Sequence, residues 1–208
     1  MFTGIVTAIG TISNTEQRGD MRVRIAAPLD PASIDIGASI ACSGVCLTVV
    51  DRGGSAGDAW FAVDISAESV SRTVNGMWEQ NRKLNIEPSL RLGDELGGHI
   101  VTGHVDSIGE VVLAETVGDS WRVSIRARPE MAPFIAEKGS ITVDGVSLTV
   151  NAVHDQPDGT CDFSLNIIPH TGEVTTLGSL SVGDHVNLEI DVLARYLKRM
   201  QGLTAARY

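Results

Sequence analysis

Two stretches of this chain carry a small nucleophilic side chain that is followed two residues later by a threonine. The first pair is Cys46 and Thr48, and the second is Ser147 and Thr149. The eleven-residue segments around the pairs are identical at seven positions, and they read SIACSGVCLTV and SITVDGVSLTV. One segment lies in each half of the 208-residue chain. Because repeats at a fixed spacing indicate tandem modules, we predict two similar units, each presenting the same chemical pair.

The residues around each pair follow the pattern of a β-strand. Val45, Leu47 and Val49 alternate with Cys46 and Thr48, and the second copy alternates in the same way. Since strand side chains point alternately to opposite faces, one face is apolar and the other carries the nucleophile and the threonine. In a single strand this pattern also fits a solvent-facing or barrel-lining position where small polar residues are merely tolerated. Its recurrence in both copies favours a site that is present twice.

Composition excludes several classes of function. The net charge of −10 and the isoelectric point near 4.8 argue against a nucleic-acid partner, because phosphate binding needs a basic surface. No run of 18 apolar residues is present, so a spanning helix is not expected. The first residues lack the features of a signal peptide, and the three cysteines suggest no pairing scheme, so we expect a cytoplasmic chain with reduced thiols. Cys42 and Cys46 have poor spacing for zinc, so no metal is expected.

Other segments also repeat. Residues 3–6 resemble residues 102–105, with Ile5 where the second copy has His104, and both are predicted as short strands. Further strands are predicted at 21–25, 60–65 and 84–87 and at 122–126, 161–167 and 186–189, with short helices near 69–73 and 171–176. Several short strands separated by turn residues are typical of small barrels. We therefore predict an all-β fold of two tandem six-stranded antiparallel Greek-key barrels, residues 1–96 and 97–191.

The last segment, residues 192–208, changes period. Leu193, Tyr196, Leu197 and Met200 recur at helical spacing, and Asp191 is placed as an N-cap. An amphipathic helix that follows two closed barrels must bury its apolar stripe against a barrel face or against another subunit. We favour oligomerisation.

Together these motifs resemble the riboflavin synthase family of the alpha-chain type. The resemblance is carried by the N-terminal MFTGIV, by the GVCLTV and GVSLTV pair, by Gly97-Gly98-His99 with Gly103-His104-Val105, and by VNLEID at residues 186–191. It covers essentially the whole chain. The family implies one lumazine site per barrel, a homotrimer built by the C-terminal helix, and a productive site between the N-terminal barrel of one subunit and the C-terminal barrel of another.

The resemblance also implies the reaction, a dismutation of two 6,7-dimethyl-8-ribityllumazine molecules. One molecule donates a four-carbon unit to the other, giving riboflavin and 5-amino-6-(D-ribitylamino)uracil without metal or added cofactor. The acidic C7 methyl group of the substrate leaves the protein mainly the task of orienting two rings. An association with the lumazine synthase that would supply the substrate is left open.

Site residues follow from the resemblance position by position. The expected catalytic residues are Ser147 and Cys46 near C7, His104 for proton transfer, since imidazole titrates near neutrality, and Asp191 as a charge or hydrogen-bond partner. The expected substrate contacts from the first repeat are Gly4, Ile5, Val6, Ser39, Cys46, Leu47, Thr48, Asp64, Ile65, Ser66, Ala67, Glu68 and Ser69. Those from the second repeat are Gly103, His104, Val105, Lys138, Ser147, Leu148, Thr149, Asn166, Ile167, Ile168, Pro169, His170 and Thr171.

Several of these residues have a structural alternative. Asp191 fits a helix cap as well as a catalytic role, and Cys46 fits a small apolar filler. His99 is expected to be structural and Cys42 to lie in the core, while His170 stands where the family often has an acidic residue. A second function class is a non-catalytic lumazine- or flavin-binding antenna protein of the same fold, and a third is an oligomeric scaffold. The polar groups present in both repeats favour the enzyme.

Overall fold

Six strands in the first half of the chain close into an antiparallel barrel. The computed structural model describes residues 1–205, with the side chains of residues 1–201. The strands are β1 (Ala8–Arg18), β2 (Asp20–Ala27), β3 (Ser39–Cys42), β4 (Val45–Ser55), β5 (Asp58–Ile65) and β6 (Lys83–Pro88), with helix α1 (Ala67–Arg72) between β5 and β6. Their order around the barrel is β1-β2-β5-β4-β3-β6, and β6 pairs with β1 to close it. Strands that are distant in sequence therefore become neighbours, as in a Greek key.

The second half repeats this arrangement as a curled sheet of seven strands. These are β7 (Ser107–Val117), β8 (Ser120–Ala127), β9 (Ser140–Val143), β10 (Val146–Thr149), β11 (Ala152–Asp155), β12 (Cys161–Ile167) and β13 (His185–Ile190), with helix α2 (Pro169–Val174) after β12. The sheet order is β10-β9-β13-β7-β8-β12-β11. Its two edge strands, β10 and β11, are consecutive in the chain and correspond to the single strand β4.

The extra strand has a local cause. Val150 bonds with Gly139 and Lys138 on one side, whereas the N–H of Asn151 bonds to Ser164 on the other. The chain thus changes partner between β10 and β11. In the first barrel the same place is an irregularity inside β4, between Val49 and Asp51. The predicted two-barrel architecture is confirmed in outline, with seven strands in place of six in the second unit.

The interior of both units is filled by alternating strand residues. On β5, Phe61, Val63 and Ile65 are fully buried, and on β12 Phe163 and Leu165 occupy the equivalent place. A period of two is what places every second side chain on one face of a strand. The other faces, which carry Cys46, Thr48, Ser147 and Thr149, point away from these cores.

The prediction that the two glycine segments form short strands is wrong. Residues 3–6 and 102–105 form no strand, and only a single bridge joins Phe2 to Val101. Gly4 and Gly103 have φ angles of +76° and +78°, which interrupt an extended chain. Phe2 and Val101 are buried together with Ala41, so the bridge still anchors both segments between the barrels.

The barrels contact each other through a reciprocal pair of asparagines. Asn85 Nδ2 donates to the carbonyl oxygen of Asp144 at 2.8 Å, and Asn187 Nδ2 donates to that of Ser43 at 3.0 Å. The turns that follow are so close that a Cβ on Gly145 would lie 2.7 Å from the Gly44 nitrogen. The contact therefore depends on two glycines that touch backbone to backbone.

The predicted C-terminal helix is present as α3 (Val192–Ala205), and the last residues of the prediction, 206–208, lie outside the described residues. Asp106 anchors its start, because its carboxylate forms an ion pair with Arg195 at 2.8 Å and accepts from the Ile190 N–H at 3.0 Å. Leu193, Tyr196 and Leu197 are each at least 60% exposed. None of the helices that the structure describes is both long and apolar enough to cross a membrane.

We expect Gly145→Ala to destabilise the protein more than Gly19→Ala. Both glycines have positive φ, so each alanine pays about 1–2 kcal/mol for the left-handed backbone. Only at Gly145 would the new methyl group also press on the facing barrel, whereas Gly19 has open space around it. Overpacking of this kind adds about 1–3 kcal/mol, which urea unfolding of both variants would measure. Equal losses in the two variants would contradict the proposed role of the contact.

Candidate active site

Each glycine segment lies against the barrel of the other repeat. The Ser147 N–H donates to the Gly4 carbonyl oxygen at 2.8 Å, and the Cys46 N–H donates to that of Gly103 at 2.8 Å. Val6 packs on the core of the second unit, and Val105 packs on that of the first. Two half-sites result. The first contains Cys46 with residues 103–105, and the second contains Ser147 with residues 4–6.

Glycine is needed where the segments cross. A Cβ on Gly4 would lie 2.5 Å from the Ser147 Cβ, and one on Gly103 would lie 2.6 Å from the Cys46 Cβ. Both positions also have a left-handed backbone, which glycine adopts without steric cost. The close approach holds a segment's carbonyl group directly beside each nucleophilic residue.

The first half-site is an open surface. Ser39 pairs with Thr48 across β3 and β4, and Cys46 is half-buried while Thr48 and His104 are exposed. Asp64 lies at the end of β5, where its carboxylate is held by Arg22 through two hydrogen bonds of 2.7 and 2.8 Å. This ion pair lowers the pKa of Asp64, so the carboxylate stays ionised.

Helix α1, whose residues are predicted to contact the substrate, directly follows β5. The Ser66 hydroxyl caps it by accepting from the Ser69 N–H at 3.2 Å. Ala67 and Glu68 are exposed, and Ile65 is buried beneath them. The equivalent helix of the second repeat is α2, and Ile168 at its N-cap and Pro169 and His170 in its first turn are exposed.

The remaining contacts predicted for the second half-site lie on or beside its strands. Ser140 pairs with Thr149, and Asn166 is exposed near the end of β12. Leu148 and Thr171 are half-buried, and Ile167 is buried. Lys138 is exposed and has a φ of +62°, a conformation that is uncommon for a residue with a side chain. Among the side chains that the structure describes, none forms an ion pair with the Lys138 ammonium.

The second half-site also contains His99, which the sequence predicts to be structural. His99 Nδ1 lies 2.7 Å from the Ser147 hydroxyl oxygen, and His99 Nε2 lies 3.2 Å from that of Thr142. One ring nitrogen of a neutral imidazole accepts while the other donates, so both contacts can form in a single tautomer. A base that bonds to a hydroxyl and is itself oriented by a third group is the arrangement that activates a serine.

Burial determines the charge of this histidine. It lowers the pKa of His99, while the negative charge of Asp191 acts in the opposite direction. The ring is therefore neutral at physiological pH and able to accept a proton. Gly98 permits this contact, because a Cβ there would lie 2.8 Å from the Ser147 Cβ. Glycine at position 98 therefore lets the chain that carries His99 approach Ser147 closely.

Asp191 occupies the cap position of helix α3. Its Oδ1 accepts from the Leu193 N–H at 2.9 Å, so the capping alternative describes what this side chain does in the structure. A catalytic role for Asp191 stays a prediction. Cys42 is fully buried in the core, as predicted, and burial raises the pKa of its thiol well above the ordinary range. Among the described side chains, no cluster of His, Cys, Asp and Glu is arranged to hold a metal ion.

Comparison with known proteins agrees with this geometry. The family described as "Lumazine binding domain" matches the chain twice, at residues 3–89 and 102–191. A riboflavin synthase of Brucella abortus (strain 2308) is 48% identical over 204 residues, which cover 96% of this chain and 98% of that protein. The chain belongs to the riboflavin synthase family. Members of this family are transferases, and the duplicated match agrees with the duplicated half-site.

Other relatives extend the comparison. A riboflavin synthase of Mycobacterium tuberculosis (strain ATCC 25618 / H37Rv) is 44% identical, and the alignment covers 96% of this chain and 98% of that protein. One of Photobacterium phosphoreum is 42% identical, and the alignment covers 96% of this chain and 88% of that protein. A solved structure of LumP complexed with riboflavin has a TM-score of 0.75 at 25% identity, covering 91% of this chain and 99% of that one. LumP complexed with 6,7-dimethyl-8-(1'-D-ribityl) lumazine gives 0.74 at 24% identity, with the same coverage. The much higher identity to the riboflavin synthases favours the enzyme over the antenna alternative.

We expect His99→Gln to have a lower free energy of unfolding than wild type at high pH, and the difference to shrink as the pH falls. The folded pKa of His99 lies below the unfolded value of 6.5, so acid protonates the unfolded chain first and wild type loses stability as the pH drops below that value. Glutamine does not titrate. At pH 8 the variant should be less stable by about 1 kcal/mol for its lost hydrogen bonds, and the gap should narrow by pH 5. Urea unfolding at both pH values measures it.

His154→Gln provides the control, because His154 is exposed on β11. The free energy of unfolding of His154→Gln should be close to that of wild type at both pH values. A difference in unfolding free energy between wild type and His99→Gln that stays constant from pH 8 to pH 5 would contradict the half-buried, neutral state of His99.

Proposed function

We propose that this chain converts two molecules of 6,7-dimethyl-8-ribityllumazine into riboflavin and 5-amino-6-(D-ribitylamino)uracil. The observation that carries the proposal is the pair of equivalent half-sites, each with a nucleophilic residue on an outer strand face and a glycine segment crossing from the other repeat. Two equivalent sites suit a reaction whose two substrates are the same molecule. Membership of the riboflavin synthase family supports the same conclusion.

The reaction makes modest demands on the protein. A four-carbon unit leaves one substrate and joins the other, and the two products together contain all the atoms of the two substrates. No external oxidant or reductant is therefore needed. Holding two rings in a reactive geometry supplies much of the acceleration, because it replaces an encounter in solution by a step within one complex. Proton transfers to and from the C7 methyl group supply the rest.

We assign the proton-handling groups to the two half-sites. In the second half-site the Ser147 hydroxyl is hydrogen-bonded to neutral His99, which supports addition of a serine or an activated water at C7. In the first half-site His104 is exposed beside Cys46, where it can exchange protons with a bound ring. Asp191 is proposed to act on the second half-site through its negative charge, in addition to capping α3.

We also propose a homotrimer. The exposed apolar stripe of α3 needs a partner, and the half-sites of a single chain are open surfaces with Thr48, His104 and Asn166 exposed. Contact between the first half-site of one subunit and the second of another would enclose both substrates. We further propose that the chain divides into barrels 1–96 and 97–191, followed by a C-terminal segment that begins with α3. The free thiols of Cys42, Cys46 and Cys161 support a cytoplasmic location.

Removal of the proposed proton-handling groups should slow the reaction. We expect Ser147→Ala and His104→Gln each to lower kcat by about 100-fold or more, because a positioned acid–base group typically contributes about 10²–10⁴. Riboflavin formation from purified 6,7-dimethyl-8-ribityllumazine measures this, with one pyrimidine product counted per riboflavin. Ser13→Ala and His154→Gln, both at exposed positions, are the matched controls and should keep full activity. Wild-type kcat in both test variants would contradict the assignment.

Charges on the apolar stripe of α3 should dissociate the oligomer. We expect wild type to have three times the monomer mass of 22.0 kDa, and the double variant Leu193→Glu with Leu197→Glu to have the monomer mass. Buried carboxylates without partners disfavour an apolar interface. Gel filtration with light scattering makes the measurement, and Lys198→Glu, a charge change at an exposed position of the same helix, is the control. A monomeric wild type would contradict the trimer.

A further inference from the structure

Two buried carboxylates occupy equivalent places in the last strand of each barrel. Glu87 on β6 is 5% exposed, and Glu189 on β13 is 2% exposed. Within the described side chains, neither forms an ion pair with a lysine or arginine. Burying a carboxylate is unfavourable unless hydrogen-bond donors replace the water it loses, so the donors around these two residues explain their presence.

All of their hydrogen-bond donors come from the two crossing segments. Glu87 accepts from the N–H and hydroxyl of Thr3 at 2.7 and 2.8 Å, and from the Gly4 N–H at 2.9 Å. Glu189 accepts from the N–H and hydroxyl of Thr102, both at 2.7 Å. It also accepts from the N–H groups of Gly103 at 2.9 Å and His104 at 3.1 Å. Each carboxylate thus holds a segment whose far side lies on the other barrel.

The hydrogen bonds to Glu87 and Glu189 require each carboxylate to accept at both of its oxygens. Each carboxylate uses both of its oxygens, and bonds from N–H groups to an ionised acceptor are about twice as strong as neutral ones. Burial raises the pKa of Glu87 and of Glu189, and the bonds from the segments offset only part of this rise. The donors of the segments are thus what opposes protonation of the two carboxylates. A glutamine of the same shape would direct an NH₂ group at a backbone N–H. The side chain would then repel one end of the segment it now holds.

We propose that Glu87 and Glu189 are positioning residues, each fixing a crossing segment over the half-site of the opposite barrel. Glu189 fixes Gly103 and His104 beside Cys46, and Glu87 fixes Gly4 beside Ser147. This proposal rests on the function proposed above, since it assigns the two residues to its two half-sites. Neither carboxylate touches the substrate in this scheme. Each acts through the segment that it holds.

The two residues should have different kinetic effects. Glu189 bonds to the backbone of His104, so its loss displaces a proton-transfer group, and an error of about 1 Å in such a group can lower the rate by about 100-fold. The segment held by Glu87 contains no titratable side chain at residues 4–6. Loss of Glu87 should therefore weaken substrate binding more than it slows the chemical step.

The first experiment compares Glu189→Gln with Glu87→Gln. We expect Glu189→Gln to lower kcat by about 10- to 100-fold with a smaller change in KM, and Glu87→Gln to raise KM by about tenfold with a smaller change in kcat. Glu110→Gln, at an exposed position of β7, is the control and should match wild type. Wild-type kcat and KM in both test variants would overturn the proposal, as would identical effects of the two variants on kcat and KM.

A double-mutant cycle separates positioning from general destabilisation. If Glu189 acts through His104, Glu189→Gln should have little further effect on kcat once His104→Gln is present. Glu87→Gln should keep its full effect on KM in the same background. Independent, multiplicative effects of Glu189→Gln and His104→Gln on kcat would overturn the assignment of Glu189.

Two further measurements keep the test decisive. If a glutamine variant does not fold, Thr102→Val and Thr3→Val each remove one side-chain bond to the carboxylate, and they should show the same division between kcat and KM in weaker form. If wild type forms no riboflavin, the proposed function fails first. Fluorescence titration with riboflavin then tests positioning alone, since Glu87→Gln and Glu189→Gln should still weaken binding while Glu110→Gln does not. Unchanged binding in both would overturn the proposal.

Discussion

The crossing of two glycine segments between the barrels is the constraint on which the rest of the site depends. The Ser147 N–H bonds to the Gly4 carbonyl, and the Cys46 N–H bonds to that of Gly103. These bonds place residues 3–6 over the second barrel and residues 102–105 over the first. Because each nucleophilic residue gives its own N–H to this contact, neither half-site is complete within its own repeat. The reciprocal hydrogen bonds of Asn85 and Asn187 across the barrel contact then hold the barrels in the orientation that the crossing needs.

Within this two-fold frame the half-sites differ chemically. The first has a thiol and the exposed imidazole of His104, whereas the second has a hydroxyl bonded to half-buried His99 and has Ile5 at the position equivalent to His104. Two copies of one substrate would therefore meet different environments. A dismutation needs this difference, because one molecule must give up carbon atoms and the other must receive them. The repeat supplies two similar surfaces, and a few substitutions give them different chemistry.

Local patterns predicted local structure well. The alternation of Val45, Leu47 and Val49 with Cys46 and Thr48 correctly indicated the faces of β4, and the repeat correctly indicated a second unit. Strands β1 and β7 were not predicted, because inward positions such as Gly10 and Gly109 are glycines that leave no apolar signal. The contact of His99 with Ser147 joins residues 48 positions apart and depends on how the barrels pack. No spacing rule in the sequence predicts such a contact, so the hydrogen bond between His99 and Ser147 could be found only from the fold.

The crossing also bears on how such a chain could have arisen from a shorter one. A single repeat folded alone would have a nucleophile strand with nothing lying against it, and a glycine segment with no strand to bond to. Two identical copies meet both needs, since each can lay its segment on the other about a two-fold axis. The antiparallel bridge between Phe2 and Val101 lies where such an axis would pass. Duplication within one chain would then have joined the two partners of an ancestral dimer, leaving each half free to diverge.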